Sequence, residues 1–398
     1  MTAFSYTAKL QDGRRVTGVL EAPSQKALLE ALYRQGLVVI AVKTVKLGQK
    51  TTGRVCLDHL AAFTRQLATL VDAGIPIVSG LDAVADQQES RTLRDAVIKI
   101  RDSVEGGTSL TSAIGMHSNI FSTLFVSLIR AGEASGHLAE ILQRLATYLE
   151  KSAALQRKIK SACVYPAIVI GMAVLITSFL ILRVIPTFKE IFRTLGVPLP
   201  LPTRILLAVS DFAQHFFFPG LVVVIVGIVL LRRAIKTPKG QLLYHRLLLK
   251  LVLIGPIVRK VAIAKFSRTL ATLVKSGVPI LDGLEIVAGT SGNQVVANAV
   301  LKVKDSIREG ENISAPLLAS GVFPLLVVRM ISVGEQTGRL DEMLVKIAEA
   351  YEDQVDAAIN GLTSAIEPII IGVLGIVIGS IVLSIFLPIF KLTEVLSK

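Results

Sequence analysis

Apolar residues recur along this chain with three different spacings, and each predicts a different kind of element. Phe4, Tyr6, Ala8 and Leu10 alternate with other residues, Asp12-Gly13 makes a turn, and Val16, Gly18 and Leu20 alternate again, which predicts a β-hairpin. Ser24 caps a helix that stops at Gly36, and Leu37 to Val42 predicts a third strand, so residues 1–45 read as a small N-terminal α+β module. A linker rich in Lys, Gly and Thr follows over 46–55. Beyond it, Leu60, Phe63, Leu67, Leu70 and Val71 fall three and four residues apart, as do Phe266, Leu270, Leu273 and Val274, so each segment carries one apolar helical stripe. Gly74-Ile75-Pro76 and Gly277-Val278-Pro279 stop these helices, because glycine accepts left-handed geometry and proline cannot continue a helix. Finally, 164–185, 205–231 and 366–390 are apolar throughout and long enough to cross a bilayer. As a helix, Tyr165 to Pro186 covers about 32 Å, close to the hydrocarbon thickness.

Composition agrees with the spans: 52% of the 398 residues are hydrophobic, too many for a chain wetted on all sides. The net charge of +13 is spread without a basic block, which suits an anionic bilayer face better than a nucleic acid. Arg157, Lys158 and Lys160 precede the first span, and Arg232, Arg233, Lys236 and Lys239 follow the second, placing both flanks in the cytoplasm and 186–204 in an outer loop. Around the third span the rule is silent, since Glu349, Glu352, Asp353 and Asp356 precede it and Lys391 and Lys398 follow. The start of the chain lacks the charged-then-apolar order of a signal peptide and is expected to stay inside.

An internal repeat supplies the missing orientation. Phe63 to Asp82 and Phe266 to Glu285 agree at 12 of 20 positions at an offset of 203. GEASGHL (Gly132, Glu133, Gly136) matches GEQTGRL (Gly334, Glu335, Gly338), and Tyr165-Pro166 stands where the second copy has Glu367-Pro368, both at an offset of 202. The first and third spans are therefore equivalents and cross in the same direction, with the second bringing the chain back. The fold expected is mainly α: an integral membrane protein with three transmembrane helices and two homologous cytoplasmic helical bundles, 56–163 and 232–365, with a short outer tail at 391–398. The last helix of each bundle, from about His137 and Arg339, meets no strong breaker before Pro166 or Pro368 and is expected to run straight into its span. Such a rod could carry force, although a packed helix needs no such role.

Catalytic chemistry has little footing. No GxxxxGK[ST], HExxH, GxSxG or CxxC occurs, Cys56 and Cys163 are far apart, and His59, His117, His137, His215 and His245 show no ligand spacing, so neither enzyme activity nor a cofactor or metal is expected. The conspicuous residues each have two readings. Glu133 and Glu335 could receive a basic partner surface, or belong to a helix–turn–helix link with Ser135 or Thr337 as N-cap. Glu367 could bind a partner's cation in the membrane, or face the cytoplasmic headgroups and the helix dipole. Asp211 and His215, one turn apart, suit a proton relay or plain outer exposure, and Arg183 is expected to snorkel outward.

The N-terminal FSYTAKLQDGRRVTGVLEA, the doubled F-[ST]-R-x-LATLV-x-x-G-x-P and GE-x-[ST]-G-x-L segments and the Tyr-Pro and Glu-Pro pairs together resemble the F protein family of type II secretion systems, over essentially the whole chain. That family includes the platform proteins of type IV pili. The resemblance implies a platform in the bacterial inner membrane, N-terminus cytoplasmic and C-terminus periplasmic. Its implied partners are a cytoplasmic hexameric secretion ATPase, inner-membrane secretion components, pseudopilin subunits, further copies of the chain and the lipid bilayer, with no nucleic acid. It further implies that ATPase-driven movement of the platform lifts pseudopilin or pilin subunits into a growing fibre. The short linker and complete N-terminal module lean toward secretion over the pilus. Some members hold calcium in the first bundle with acidic side chains; the matching positions here are Glu89, Gln143 and Thr147, one carboxylate in place of three, a poor set for a hard cation. A transporter is the competing reading from another class, motivated by repeats around membrane helices, but the spans show neither a mid-depth Gly/Pro interruption nor a run of ionisable residues.

Overall fold

The computed structural model describes residues 2–9, 15–22, 38–45, 55–187, 201–252 and 254–396. The N-terminal unit has three strands, β1 (Thr2–Lys9), β2 (Arg15–Ala22) and β3 (Val38–Val45), in the order β2-β1-β3 with β1 antiparallel to both neighbours. β1 and β2 keep an unbroken register from Thr2 opposite Ala22 to Lys9 opposite Arg15, the pairing of a hairpin, whereas β1 and β3 slip by an irregularity at Thr7/Ala8. The third strand sits at 38–45, extending beyond the expected 37–42. The helix expected from Ser24 to Gly36, and the linker over 46–54, lie outside the described residues.

The second unit is helical. α1 (Leu57–Asp72), α2 (Ile77–Ala85), α3 (Arg91–Glu105), α4 (Leu110–Gly115), α5 (Thr123–Ser135) and α6 (Leu138–Phe179) form the first bundle. A π-helical turn, Leu180–Val184, continues α6, and the chain stays helical to Thr187. α7 (Leu201–Ile235) and α8 (Pro238–Lys250) follow. The second bundle is α9 (Gly255–Lys275), α10 (Ile280–Thr290), α11 (Gln294–Arg308), α12 (Ser314–Ala319), α13 (Leu325–Thr337) and α14 (Leu340–Leu396). α8 is an addition: the repeat begins within α9, later than the residue 232 expected for the second bundle.

The apolar stripes become the two cores. Phe63 and Leu67 of α1 are buried against α6, and the Phe63 ring lies 6.1 Å from Phe121, which in turn lies 4.8 Å from Phe125. In the second copy Phe266 meets Phe323 at 4.8 Å. Leu142, Leu145, Ala146, Leu149 and Ala153 line the buried side of α6, and Leu344, Ile347, Ala348, Tyr351 and Val355 occupy the same positions on α14. Gly74 and Gly277 take φ of +81° and +77° after their helices, and Pro76 and Pro279 stand extended as the first cap of α2 and α10.

α6 runs through Tyr165-Pro166 and α14 through Glu367-Pro368 without a break. The side chains that were covered by the bundle become exposed apolar ones beyond these points, such as Ile168, Leu175, Phe179, Ile369, Ile376 and Leu383. Helices Leu138–Thr187 and Leu340–Ser384 are long and apolar enough to cross a membrane. The segment expected as a tail at 391–398 is helical as far as Leu396. α7 is tied to both long helices: the Ser210 hydroxyl donates to the Ile181 carbonyl at 2.6 Å, inside the π turn where backbone pairing is disturbed, and Thr203 donates to the Ser384 carbonyl at 2.6 Å. Of the outer loop expected at 186–204, residues 188–200 lie outside the described residues.

Candidate functional site

The doubled GE segment links the last two helices of each bundle. Gly136 and Gly338 end α5 and α13 in the left-handed conformation, with φ of +75° and +71°. Gly132 and Gly334 let helices pass closely: an added Cβ would stand 3.1 Å from Ile141 Cβ in the first copy and 3.0 Å from Leu340 Cα in the second. The glutamates point to a helix in another part of their bundle. Glu133 accepts from the Leu110 N–H at 2.8 Å, the Thr111 N–H at 3.1 Å and the Thr111 hydroxyl at 2.5 Å, at the start of α4. Glu335 accepts from the Ile313 N–H at 2.8 Å, just ahead of α12. Burial pulls the Glu133 carboxyl upward, but the bonds from Thr111 and Leu110 outweigh it and hold the group below the usual carboxylate range.

The helix–turn–helix link expected of the motif is present, with its turn at Gly136 and Gly338. The glutamates make hydrogen bonds within their own bundle, and Glu133 remains exposed at the surface. Ser135 and Thr337 are the last helical residues before the left-handed glycines and are not N-caps: His137 stands at the cap of α6, the Ser135 hydroxyl accepts from the His137 N–H at 3.4 Å, and the Thr337 hydroxyl donates back to the Val333 carbonyl at 2.7 Å.

A second doubled feature escaped the sequence reading. Arg65 grips Glu150 through two bonds of 2.7 Å, and Arg268 grips Glu352 through two of 2.8 Å, each clamping the first helix of a bundle to the long last one. The signal was present: both arginines belong to the F-[ST]-R segment, and Glu150 and Glu352 match at the 202 offset. The Arg65 bond holds Glu150 below the usual carboxylate range. With side chains 16% and 22% exposed, against 35% and 44% for the first pair, the Arg268 clamp is less screened by water and contributes more.

Arg65 also tests the calcium set. Its guanidinium donates to the Gln143 side-chain amide oxygen and, at 3.1 Å, to the Thr147 hydroxyl, so two of the three matching positions already face a fixed positive charge. These residues do not fit calcium.

The two bundles meet along α6. Tyr148 OH and Thr269 Oγ1 lie 3.2 Å apart, Arg144 donates to the Lys275 carbonyl, and Lys158 pairs with Asp356 of α14. A groove of about 780 Å³ opens beside this contact, with Ser127 and Arg130 of α5 on one wall and Gly277, Pro279, Asp282 and Glu285 on the other. Here the structure brings the turn of the second copy against the first copy's GE helix, a proximity that no spacing in the sequence encodes. Tyr165, Glu367 and Pro368 are exposed at the far end of the bundles and Pro166 is covered. His215 is exposed with its ring 5.4 Å from Phe216, and Arg183 is exposed.

Comparison with known proteins matches the same division of the chain. The model of the type II secretion system protein F family matches residues 63–186 and again 266–388, and the model of that protein's N-terminal domain matches 1–43. The chain is 41% identical to the type IV pilus assembly protein PilC of Myxococcus xanthus, covering 98% of this chain and 94% of that one. It is also 41% identical to the PilC of Thermus thermophilus over 100% of both. Identity to the type II secretion system protein F of Pseudomonas aeruginosa is 35% over 99% of both.

Proposed function

Since the chain belongs to the type II secretion system protein F family, matched in both of its halves, we propose that it is an inner-membrane platform on which pilin-like subunits are assembled into a fibre, worked from the cytoplasm by a hexameric ATPase. The observation that carries this reading is the doubled rod. α6 and α14 each belong to a bundle at one end and present bare apolar surface at the other, and Lys158–Asp356 joins them just before the change. A displacement of either bundle is thereby delivered to an apolar helix, which is the mechanical part of such a machine and needs no catalytic group.

In this reading α7 is a third span that returns the chain to the cytoplasm, with Arg232 and Arg233 at its inner end. The N-terminus is cytoplasmic, the C-terminus periplasmic, and residues 1–45 form an appended α+β module. Other inner-membrane components, pseudopilin or pilin subunits and further copies of the chain are the proposed partners. Between the two machines, the two identities of 41% are both to pilus assembly proteins and support a pilus, while further pilus relatives at 32–37% overlap the secretion proteins at 33–35% and the short linker leans toward secretion.

A deletion strain assayed for surface pili with twitching and, separately, for exoprotein secretion tests the proposal. Loss of piliation restored by the intact gene is the expected result. Loss of secretion alone would move the chain to the secretion branch, and no change in either would overturn the platform.

A further inference from the structure

Where α6, α9 and α14 converge on the turn between α10 and α11, the chain forms a half-open cavity of about 390 Å³. That volume is in the range of small-ligand pockets. The wall is mostly aliphatic, with Ile159, Val258, Ile359 and Ile366 prominent, and two nitrogen donors interrupt it, Lys265 and Asn293.

Among the described residues, neither donor is satisfied. Lys265 lies beside Gly292, whose missing Cβ would stand 3.7 Å from the ammonium, and it has no carboxylate or hydrogen-bond partner among the described residues. Burial lowers its proton affinity below that of an ordinary lysine. Asn293 is 4% exposed; its side-chain oxygen is committed to the Val295 N–H at 2.9 Å, and its NH₂ group has no partner among the described residues. A half-buried cation and a buried amide left unpaired are costly, so a ligand that answers both has stabilisation to gain. The bundle fold does not demand the lysine, because the repeat places Ala62 at the equivalent position.

The location selects the ligand. Pro166 and Ile366 both line the cavity, and both stand where their helices turn from bundle to bare apolar surface. α8 exposes Leu243 and Leu247 and carries Lys239, Arg246 and Lys250, the composition of a helix lying on an anionic membrane surface. The cavity is thus at headgroup depth on the cytoplasmic side.

We propose that this cavity holds one anionic phospholipid of the inner leaflet, its phosphate on Lys265 and the Asn293 amide, with part of an acyl chain along the aliphatic wall and the rest in the bilayer. A zwitterionic lipid fits less well, since its own ammonium competes with Lys265 for the phosphate. The proposal rests on the membrane reading of α6 and α14, but not on which machine the platform serves.

The test is native mass spectrometry of the full chain, extracted in mild detergent and incubated with phosphatidylglycerol, phosphatidylethanolamine or inorganic phosphate. Expected is one phosphatidylglycerol per chain, with occupancy down about tenfold in Lys265→Met and retained in Lys265→Arg. Ala162→Trp, which fills the cavity from α6 and keeps the lysine, is expected to lower occupancy as far, and it decides the matter if Lys265→Met does not fold. Equal binding by wild type and these variants, equal binding of phosphatidylethanolamine, or full displacement by inorganic phosphate would overturn the proposal. A chain that dissolves without detergent would instead remove the membrane reading itself.

Discussion

Glu133 places its charge against three donors at the start of α4, whereas Glu335 meets one backbone N–H ahead of α12, where Ile313 replaces Thr111. The two glutamates of one motif should therefore differ in worth. Glu133→Gln is expected to cost about 1 kcal/mol, since the group is exposed and water screens its bonds, and Glu335→Gln about half as much, because hydrogen bonds to a charged group are stronger than neutral ones. Thermal melting in detergent measures both, and equal shifts would count against the assignment. Acid acts on the same group: the folded Glu133 carboxyl sits below its unfolded value, so its contribution is complete above about pH 4.3 and is lost as pH falls through the folded value. A turn between two helices, made by Gly136 and Gly338, was readable in this motif. The glutamates were not, since their partners lie 22 or 23 residues away and only the packed bundle brings them together. Ser135 misled for a related reason: serine before a glycine resembles a cap for the next helix, but here the left-handed glycine closes the preceding one.

Among the elements, the stripes of α1 and α9 could be read at residue resolution, because a buried helix face repeats at a spacing that nothing but burial imposes; of α6 and α14 only the continuity was read, from the lack of a breaker. α8 could not be placed against particular neighbours from its pattern, since apolar residues beside basic ones do not say which helices they meet. The structure fixes it through one bond: the Gln294 N–H at the start of α11 donates to His245 Nδ1 at 2.9 Å. That nitrogen must be unprotonated to accept, and burial lowers His245 below an ordinary histidine. For a base depressed in the folded state, the attachment is complete above the unfolded value of about 6.5 and weakens as pH falls below it. Hydrogen exchange at Gln294 should accelerate, beyond the intrinsic pH effect, between about pH 6.5 and pH 5, and His245→Phe should be fast at every pH. Unchanged protection across that window would show that α8 is held by other contacts.

At the scale of the whole molecule, the doubled arrangement matters more than any one site. The repeat was legible because two copies of a sequence leave a direct record, and the equivalence of the first and third apolar stretches came from it. The contact of the first bundle with the second was not legible: Tyr148 and Thr269, or Lys158 and Asp356, have no shared spacing and match only by meeting. Their meeting makes the two bundles one body, and the central claim is that this body moves the apolar helices as rigid extensions of itself. The direct measurement compares two insertions of equal length between Ser364 and Ala365 of α14, just ahead of Glu367-Pro368. Four alanines keep the helix continuous and turn the lower part by about 40°, whereas Gly-Gly-Ser-Gly breaks the rod and leaves bundle and span each intact. With both proteins at normal levels in the membrane, the account predicts pili on cells carrying the alanine insertion and none on cells carrying the flexible one. Pili in equal number on both would contradict it.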